Sequence, residues 1–306
     1  MRILVLKGGA IGDFLVTLPA LGLLRSKWPD ARIELVGNAR AAALGVGGGY
    51  LDAVHSQHEA RWSALFGATP LPAALSAWLA EFDLVLNYWP DPDGLLGRRF
   101  PVRAGQQYLS APATPTLAPA ARHFCEPLRA LGLSTTDYRA RLALPKSAAG
   151  LPASRFGLAS RQRPLAIHPG SGSPRKNWPA ARWLELIGRL ETPVLLVLGE
   201  AETESWSAPS LGRLLPPSVE VSRNLPLLDL AARLAQCRLF LGHDSGLSHL
   251  AAAVGTPCVL LFGPTDPAMW APPGGHVRVV RRGDTLDAIT MEDAAAASAA
   301  AIAAMR

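Results

Sequence analysis

Residues 2–38 read RILVLKGGAIGDFLVTLPALGLLRSKWPDARIELVGN. An apolar run of strand length at 2–7 gives way to a glycine-rich turn, then to a helical pattern over 13–27, then to a second apolar run at 32–37. Two strands separated by a helix need a crossover connection, and a crossover makes them parallel. The alternation continues, with strands expected at 51–54, 82–88 and 100–104 and helices at 39–46, 71–80 and 119–132. After residue 160 it restarts. Strands are expected there at 164–168, 193–198, 219–222, 238–242, 257–262 and 277–281, with helices at 179–190, 203–214, 226–236 and 245–254. The fold class is therefore α/β: two Rossmann-like domains, each a mainly parallel sheet with helices on both faces.

Length agrees, since 306 residues at about 150 per domain give two domains. The stretch Leu144–Pro164, with Pro145, Gly150 and Pro152, reads as the linker and possible hinge, which sets the boundary near residue 155. Ligands of such sheets bind outside the carboxyl ends of the strands, so the two sheets are expected to face one another across a cleft that holds the active site. The tail Thr290–Arg306 is alanine-rich and helix-prone, and Thr290-x-x-Asp293 resembles a capping box. No internal repeat is present.

Composition narrows the function. Apolar residues make up 49% and charged residues 18%, a globular balance. Three widely spaced cysteines (Cys125, Cys237, Cys258) exclude a disulfide framework and point to a reducing, cytoplasmic setting. No CxxC or HExxH spacing offers a zinc site, and no uninterrupted apolar stretch reaches the ~20 residues of a membrane span. The run Phe14–Leu24 lacks the flanks of a signal peptide. The net charge is +6, and it is uneven: residues 1–155 carry 16 basic against 11 acidic side chains, and the remainder 14 against 13. The excess in the first half points to an anionic partner there or to a solvated surface.

Three glycine-rich turns follow strands. The first, Lys7-Gly8-Gly9-Ala10-Ile11-Gly12-Asp13, is one substitution from GxGxxG. A nicotinamide dinucleotide is disfavoured there, because Asp13 brings a carboxylate to the helix N-terminus and the second strand ends Val36-Gly37-Asn38 without an acidic residue. Asp13 reads either as the N-cap of a helix starting at Phe14 or as a general base. The second turn, His168–Pro179, clusters Ser171, Gly172, Arg175 and Lys176 and reads as an anion site or a solvated loop. The third, Gly242-His243-Asp244-Ser245-Gly246-Leu247-Ser248-His249, leads from a strand into a helix of small residues. The amides of Ser245, Gly246 and Leu247 would favour an anion, with His249 one turn further along. A serine nucleophile is disfavoured, since the flanking glycines of a nucleophile elbow are missing. Asp91-Pro92-Asp93 has the DxD spacing of a metal-bound nucleotide-sugar site, but reads as a turn by composition. Arg61, Arg98, Arg99 and Arg103 supply the local positive charge of the first half.

ILVLKGGAIGDFLVTLPALGLLRSKWPDARIELVGN, HPGSGSPRKNWP and LFLGHDSGLSHLAAAVGTPCVLLFGPTDP lie in order along the chain. Together they resemble the motifs of glycosyltransferase family 9, the bacterial heptosyltransferases of lipopolysaccharide core assembly. The resemblance implies a GT-B fold with an acceptor domain (1–155), a donor domain (156–285) and a terminal helix (286–306) packing back on the first domain. It implies inverting, metal-independent transfer from an ADP-sugar, with no cofactor and no nucleic acid. The acceptor would be an anionic saccharide or glycolipid, met by a cytoplasmic protein in peripheral contact with the inner membrane. Asp13 matches the catalytic base. Ser171, Gly172, Lys176, Asp244, Ser245, Gly246 and His249 match the donor segments, Glu200 or Glu202 the ribose contact, and Leu225 the adenine contact. Gly12, Arg61, Arg98, Arg99 and Arg103 fall on the acceptor side, although Arg61 stands alone in the first segment of the basic acceptor loop. Two other readings fit the same motifs: a sugar-nucleotide epimerase of GT-B fold, and a non-catalytic nucleotide-sugar-binding protein.

Overall fold

The run Ile3-Leu4-Val5-Leu6 is fully buried, as the middle of a parallel sheet with both faces covered demands. In the computed structural model it lies in strand β1 (Arg2–Lys7), the centre of a five-stranded sheet of order β3-β2-β1-β4-β5. Its companions are β2 (Arg32–Gly37), β3 (Ala53–Ser56), β4 (Leu84–Asn87) and β5 (Gln107–Ser110), all paired in parallel. The structure describes residues 1–145, 163–202, 206 and 215–304. It divides into two units, Met1–Ala140 and Arg141–Arg306. The division comes before the expected boundary at 155, and Leu142 already donates its amide to Ala253 of the second unit. Residues 146–162 of the expected linker, and the expected helix at 203–214 apart from Trp206, lie outside the described residues.

The expected strand at 100–104 is not formed; the edge strand is β5 instead. Phe100 is buried, but Pro101 cannot donate to a ladder and Val102 is exposed, so the apolar run is a core anchor followed by a turn. The single helix expected at 13–27 is two, α1 (Ile11–Leu15) and α2 (Leu18–Lys27). Pro19 lies at the start of α2, where its missing N–H costs nothing, and it would clash with a continuous helix one turn back. Helix α3 (Ala39–Gly47) is capped by the Asn38 side chain. One face of the sheet packs against Trp62, Leu65, Leu75, Leu79, Phe82 and Trp89.

The second unit has a six-stranded parallel sheet of order β11-β10-β9-β6-β7-β8. The strands are β6 (Leu165–Ile167), β7 (Val194–Leu198), β8 (Val219–Arg223), β9 (Leu239–His243), β10 (Cys258–Phe262) and β11 (Val277–Arg281). The terminal helix Met291–Ala303 starts at the expected capping box: Thr290 Oγ1 accepts from the Asp293 amide, and the Asp293 carboxylate accepts from the Thr290 amide. The resemblance implied a helix laid on the first domain; the structure places Met291 and Ala294 in the core of the second unit with Ile167, Leu196 and Leu241. The lead-in is tied there by Trp178 Nε1 and Arg182, which both donate to the Ile289 carbonyl. No helix among the described residues is long and apolar enough to cross a membrane.

Candidate active site

Each sheet has one place where the crossovers leave in opposite directions: between β1 and β4 in the first unit, and between β6 and β9 in the second. Loops at the carboxyl ends of strands flanking such a point splay apart and leave a crevice. Both glycine turns that follow a domain's first strand open there.

In the first unit the chain leaves Lys7 through Gly8 and Gly9 into α1. Asp13 is the third residue of that helix, one turn deeper than an N-cap, and its Oδ2 accepts the Ala10 N–H at 2.8 Å. Gly9 has φ +106°, and a Cβ there would lie 2.5 Å from Asp13 Oδ2, so the turn fits its carboxylate only with glycine. Asn38, noted in the sequence only as a missing acid, holds the turn from outside: its Nδ2 donates to the Gly9 carbonyl at 3.1 Å while its Oδ1 accepts the Ala41 amide. Lys7 is 5% exposed, with its ammonium 4.4 Å from the Phe124 ring centroid. Burial lowers its pKa, and the nearby Asp13 charge partly opposes this. Gly12 lies inside α1 beside Asp13.

The arginines do not gather around Asp13. Arg103 pairs with Asp83 just before β4, at the amino-terminal edge, so it is no part of this site. Arg99 donates to the carbonyls of Ala64 and Thr69, and Arg98 to that of Asp93; both brace loops at the carboxyl edge. Arg61 also lies at that edge, paired with Glu59 and stacked 4.1 Å over the Trp62 ring. The first-half charge surplus is thus spread over both edges of the sheet. The DxD carboxylates are caps: Asp91 accepts the amides of Leu96 and Gly97, and Asp93 that of Leu95.

In the second unit two distant segments meet. Lys176 Nζ, from the turn after β6, lies 3.1 Å from Asp244 Oδ2, after β9. Ser245 caps the helix Gly246–Ala253 through its side chain, which leaves the first-turn amides of Gly246 and Leu247 without intrahelical acceptors. His249 is buried in the same helix. Ser171 is turned inward, its hydroxyl within reach of the Ser173 carbonyl and Asn177 Oδ1, so it shapes the turn. Nothing lies within 4 Å of a Cβ added at Gly172.

Of the two glutamates after β7, Glu200 is exposed and Glu202 is buried. Glu202 Oε2 accepts the Gly199 N–H at 2.8 Å, and a Cβ on Gly170 would come within 1.8 Å of its Oε1. Leu225 is half-buried just past β8, after Asn224 in a left-handed turn (φ 48°). Two buried histidines fix the floor. His243 Nε2 accepts the Trp178 amide at 2.8 Å, which puts its proton on Nδ1, toward the Gly170 carbonyl. Burial brings its pKa down to about 3. His168 donates from Nδ1 to the Val197 carbonyl, and burial lowers its pKa too. No group of three or more His, Cys, Asp or Glu arranged to hold a metal occurs among the described residues.

The family model for glycosyltransferase family 9 (heptosyltransferase) matches residues 115–296. Lipopolysaccharide heptosyltransferase 1 of Salmonella typhimurium is 25% identical over 88% of this chain and 90% of its own length. The protein of the same name from Pseudomonas aeruginosa is 28% identical over 87% of this chain and 80% of its own. Among solved structures, a family 9 glycosyl transferase from Veillonella parvula is similar with a TM-score of 0.81 at 22% identity, covering 99% of this chain and 97% of that one. The E. coli heptosyltransferase WaaC with ADP gives 0.76 at 22% identity, over 98% of this chain and 100% of that one. The fold is the GT-B type, with two Rossmann-like units of parallel strands.

Proposed function

This chain belongs to glycosyltransferase family 9, the heptosyltransferases, and on that premise we propose that it moves a heptose from ADP-heptose onto a lipopolysaccharide-core saccharide with inversion. The observation that carries the reading is the meeting of Lys176 with Asp244 beside the Gly246 and Leu247 amides, at the switch point of the second sheet. A cation on a mobile stem next to free helix-terminal amides suits a diphosphate. Glu202 and Leu225, past the ends of β7 and β8, fall on the side of that point where a ribose and an adenine would extend. Glu202 is preferred to Glu200 as the ribose contact because its carboxylate is fixed against Gly170 and the Gly199 amide.

Asp13 takes the base role. It accepts the proton of the acceptor hydroxyl as that oxygen forms its bond to the anomeric carbon, and the bond to the diphosphate breaks with its electron pair leaving on ADP. Lys176, the two amides and His249 meet the growing negative charge. The capping roles of Asp91 and Asp93 support a route that does not use a DxD-bound metal. The nucleotide sugar is a substrate, and no resident cofactor enters. An acceptor of this class is anchored by its lipid, so the reading includes peripheral contact with the inner membrane.

Asp13→Ala tests the assignment with ADP-heptose and heptose-free lipopolysaccharide. Transfer is expected to fall by at least a thousandfold, while ADP binding by calorimetry stays unchanged. Retained transfer sinks the base assignment, and conversion of ADP-heptose without an acceptor would replace transfer with epimerisation.

A further inference from the structure

A line of polar contacts runs from the interior of the first sheet out to Arg61 at its carboxyl edge. It begins at Glu34, on β2, whose carboxylate is buried at 2% exposure. Oε1 of that carboxylate accepts from Arg2 Nη2 at 2.7 Å and from Arg32 Nε at 2.9 Å. Oε2 meets Nε2 of His55, on β3, at 2.8 Å. A carboxylate shared by two guanidinium groups has no proton to give, so Nε2 of His55 is the donor. The other ring nitrogen, Nδ1, lies 3.2 Å from Arg61 Nη2. Arginine can only donate, so Nδ1 is the acceptor and one tautomer satisfies both ends.

Three further contacts hold the same guanidinium. Its Nε lies 2.9 Å from Glu59 Oε2, and its Cζ stands 4.1 Å from the Trp62 ring centroid and 5.2 Å from that of Trp78. The rings are themselves fixed: Trp62 Nε1 donates to the Ser56 carbonyl at 2.7 Å, and His55 meets Trp78 edge-on at 5.0 Å. Nη1 is left without an acceptor among the described residues, on a side chain that keeps 39% of its surface exposed. An exposed arginine ordinarily samples many rotamers. Here its plane is ordered beforehand, so a ligand does not have to order it.

We infer that His55, braced on Glu34, is a positioning residue that holds Arg61 ready for an anionic group, carboxylate or phosphate, on the acceptor saccharide. Asp13 and Arg61 follow β1 and β3 of one parallel sheet and so share its carboxyl edge. An anionic acceptor whose hydroxyl approaches the Asp13 carboxylate is repelled by it, and a fixed cation at the same edge offsets that repulsion. Because the N–H groups of a guanidinium lie in one plane, the orientation that His55 imposes also sets the angle at which the acid group is received.

The inference rests on the transferase reading, and its test keeps the two apart. Transfer is measured with ADP-heptose and the deacylated saccharide of heptose-free lipopolysaccharide, and thermal unfolding is followed beside it. His55→Gln keeps an N–H near the place of Nε2 and loses the acceptor at Nδ1. His55→Asn does the reverse, keeping an acceptor near Nδ1 and leaving Glu34 Oε2 without its donor. Acceptor KM is expected to rise about fivefold in His55→Gln with the melting temperature kept, and by less than about twofold in His55→Asn although that variant melts earlier. The KM for ADP-heptose and kcat at saturating acceptor stay as in the wild type. Arg61→Lys keeps the charge but not the planar fork and should raise acceptor KM about tenfold. Adding His55→Gln to it should raise KM no further, since His55 acts through Arg61. Carboxyl-reduced and dephosphorylated saccharides identify the group: the His55→Gln effect disappears with the one that lacks it. Four results overturn the inference: an unchanged acceptor KM in His55→Gln, a rise in both His55 variants that tracks lost stability, additive effects in the double variant, or an effect that survives both treatments of the saccharide. A wild-type protein that leaves the untreated saccharide unglycosylated overturns the transferase reading, and the inference with it.

Discussion

The two glycine turns occupy equivalent places in their sheets and work by opposite means. The first is closed around one carboxylate: Asp13 is bonded to Ala10, faced by Gly9 and held from behind by Asn38. The second is open at Gly172 and held by a direct ion pair, Lys176 to Asp244 at 3.1 Å. A group that must meet one proton at one angle benefits from a tight mount, since small displacements are costly. A group that must grip a diphosphate and then release it benefits from a flexible stem and a replaceable partner. Steric precision on one side and exchangeable charge on the other suit the proposed reaction, in which a fixed base meets one hydroxyl while a nucleotide departs.

The sharpest way to break this contrast is to add one methyl group to each turn. Gly9→Ala puts a Cβ 2.5 Å from Asp13 Oδ2 at φ +106°, so the carboxylate must move. Transfer should fall by about two orders of magnitude or more, measured as kcat with both substrates saturating. Gly172→Ala meets nothing within 4 Å and should change kcat by less than about twofold. Equal effects would show that the two turns are built alike.

Next in size is the charge itself. Lys176→Met keeps the length of the stem and removes the ammonium, which should weaken ADP-heptose binding by about ten- to a hundredfold. The dependence of that binding on ionic strength should flatten in the variant, as calorimetry at low and high salt would show. Unchanged salt dependence would move the diphosphate grip elsewhere.

Much of this was legible in the chain, for identifiable reasons. Strand and helix order followed from the alternation of apolar runs, and the topology of β1, β2, β6 and β9 from crossovers that cannot be tight turns. Polar side chains near the sites were visible as residue types, but what they bond to was not. Asp91 and Asp93 read as a turn by composition, but only the structure shows that their carboxylates accept the amides of Leu95, Leu96 and Gly97, and Ser171 looks like a phosphate donor until its hydroxyl proves to be turned inward. Arg103 is close in sequence to Arg98 and Arg99 but lies at the other edge, because β5 runs from one edge to the other only after Gly105 has reversed the chain.

Acid separates the two units by a different route. In the second, His243 has its pKa lowered by burial to about 3, and His168 is lowered in the same way. An unfolded chain binds those protons near pH 6.5 and the folded one does not. Stability is therefore complete above that pH and declines as pH falls, for His243 by about 1.4 kcal/mol per pH unit down to about 3, with His168 acting in the same direction. In the first unit burial tends to raise the Glu34 pKa, but hydrogen bonds from His55, Arg2 and Arg32 outweigh it and bring the group to about 2. Its contribution is complete above about 4.5 and is lost only between there and 2. Hydrogen exchange at decreasing pH should show the second unit loosening first, and His243→Gln should reduce the difference. Simultaneous loosening would mean that these groups do not set acid stability.

The smallest effect expected comes from packing. The first unit fills its core with large rings, Trp62, Trp78, Phe82 and Trp89. In the second, the terminal helix presents alanines to the sheet and leaves an apolar cavity of about 170 Å³ bordered by Ile167, Leu186, Leu239, Leu241, Ala295 and Ile302. Voids of this kind lose dispersion contacts on one side, and filling them returns part of that energy if the new side chain needs no strained rotamer. Ala295→Leu adds three carbons at a partly buried position, next to Leu186 and Leu190, and leucine is nearly as good a helix former as alanine. Thermal unfolding should show a gain of about 1 kcal/mol, with transfer activity unchanged because none of the proposed donor contacts borders the cavity. A loss of stability would show that the helix rests closer to the sheet than the cavity suggests, and that the alanines are required there to let it approach.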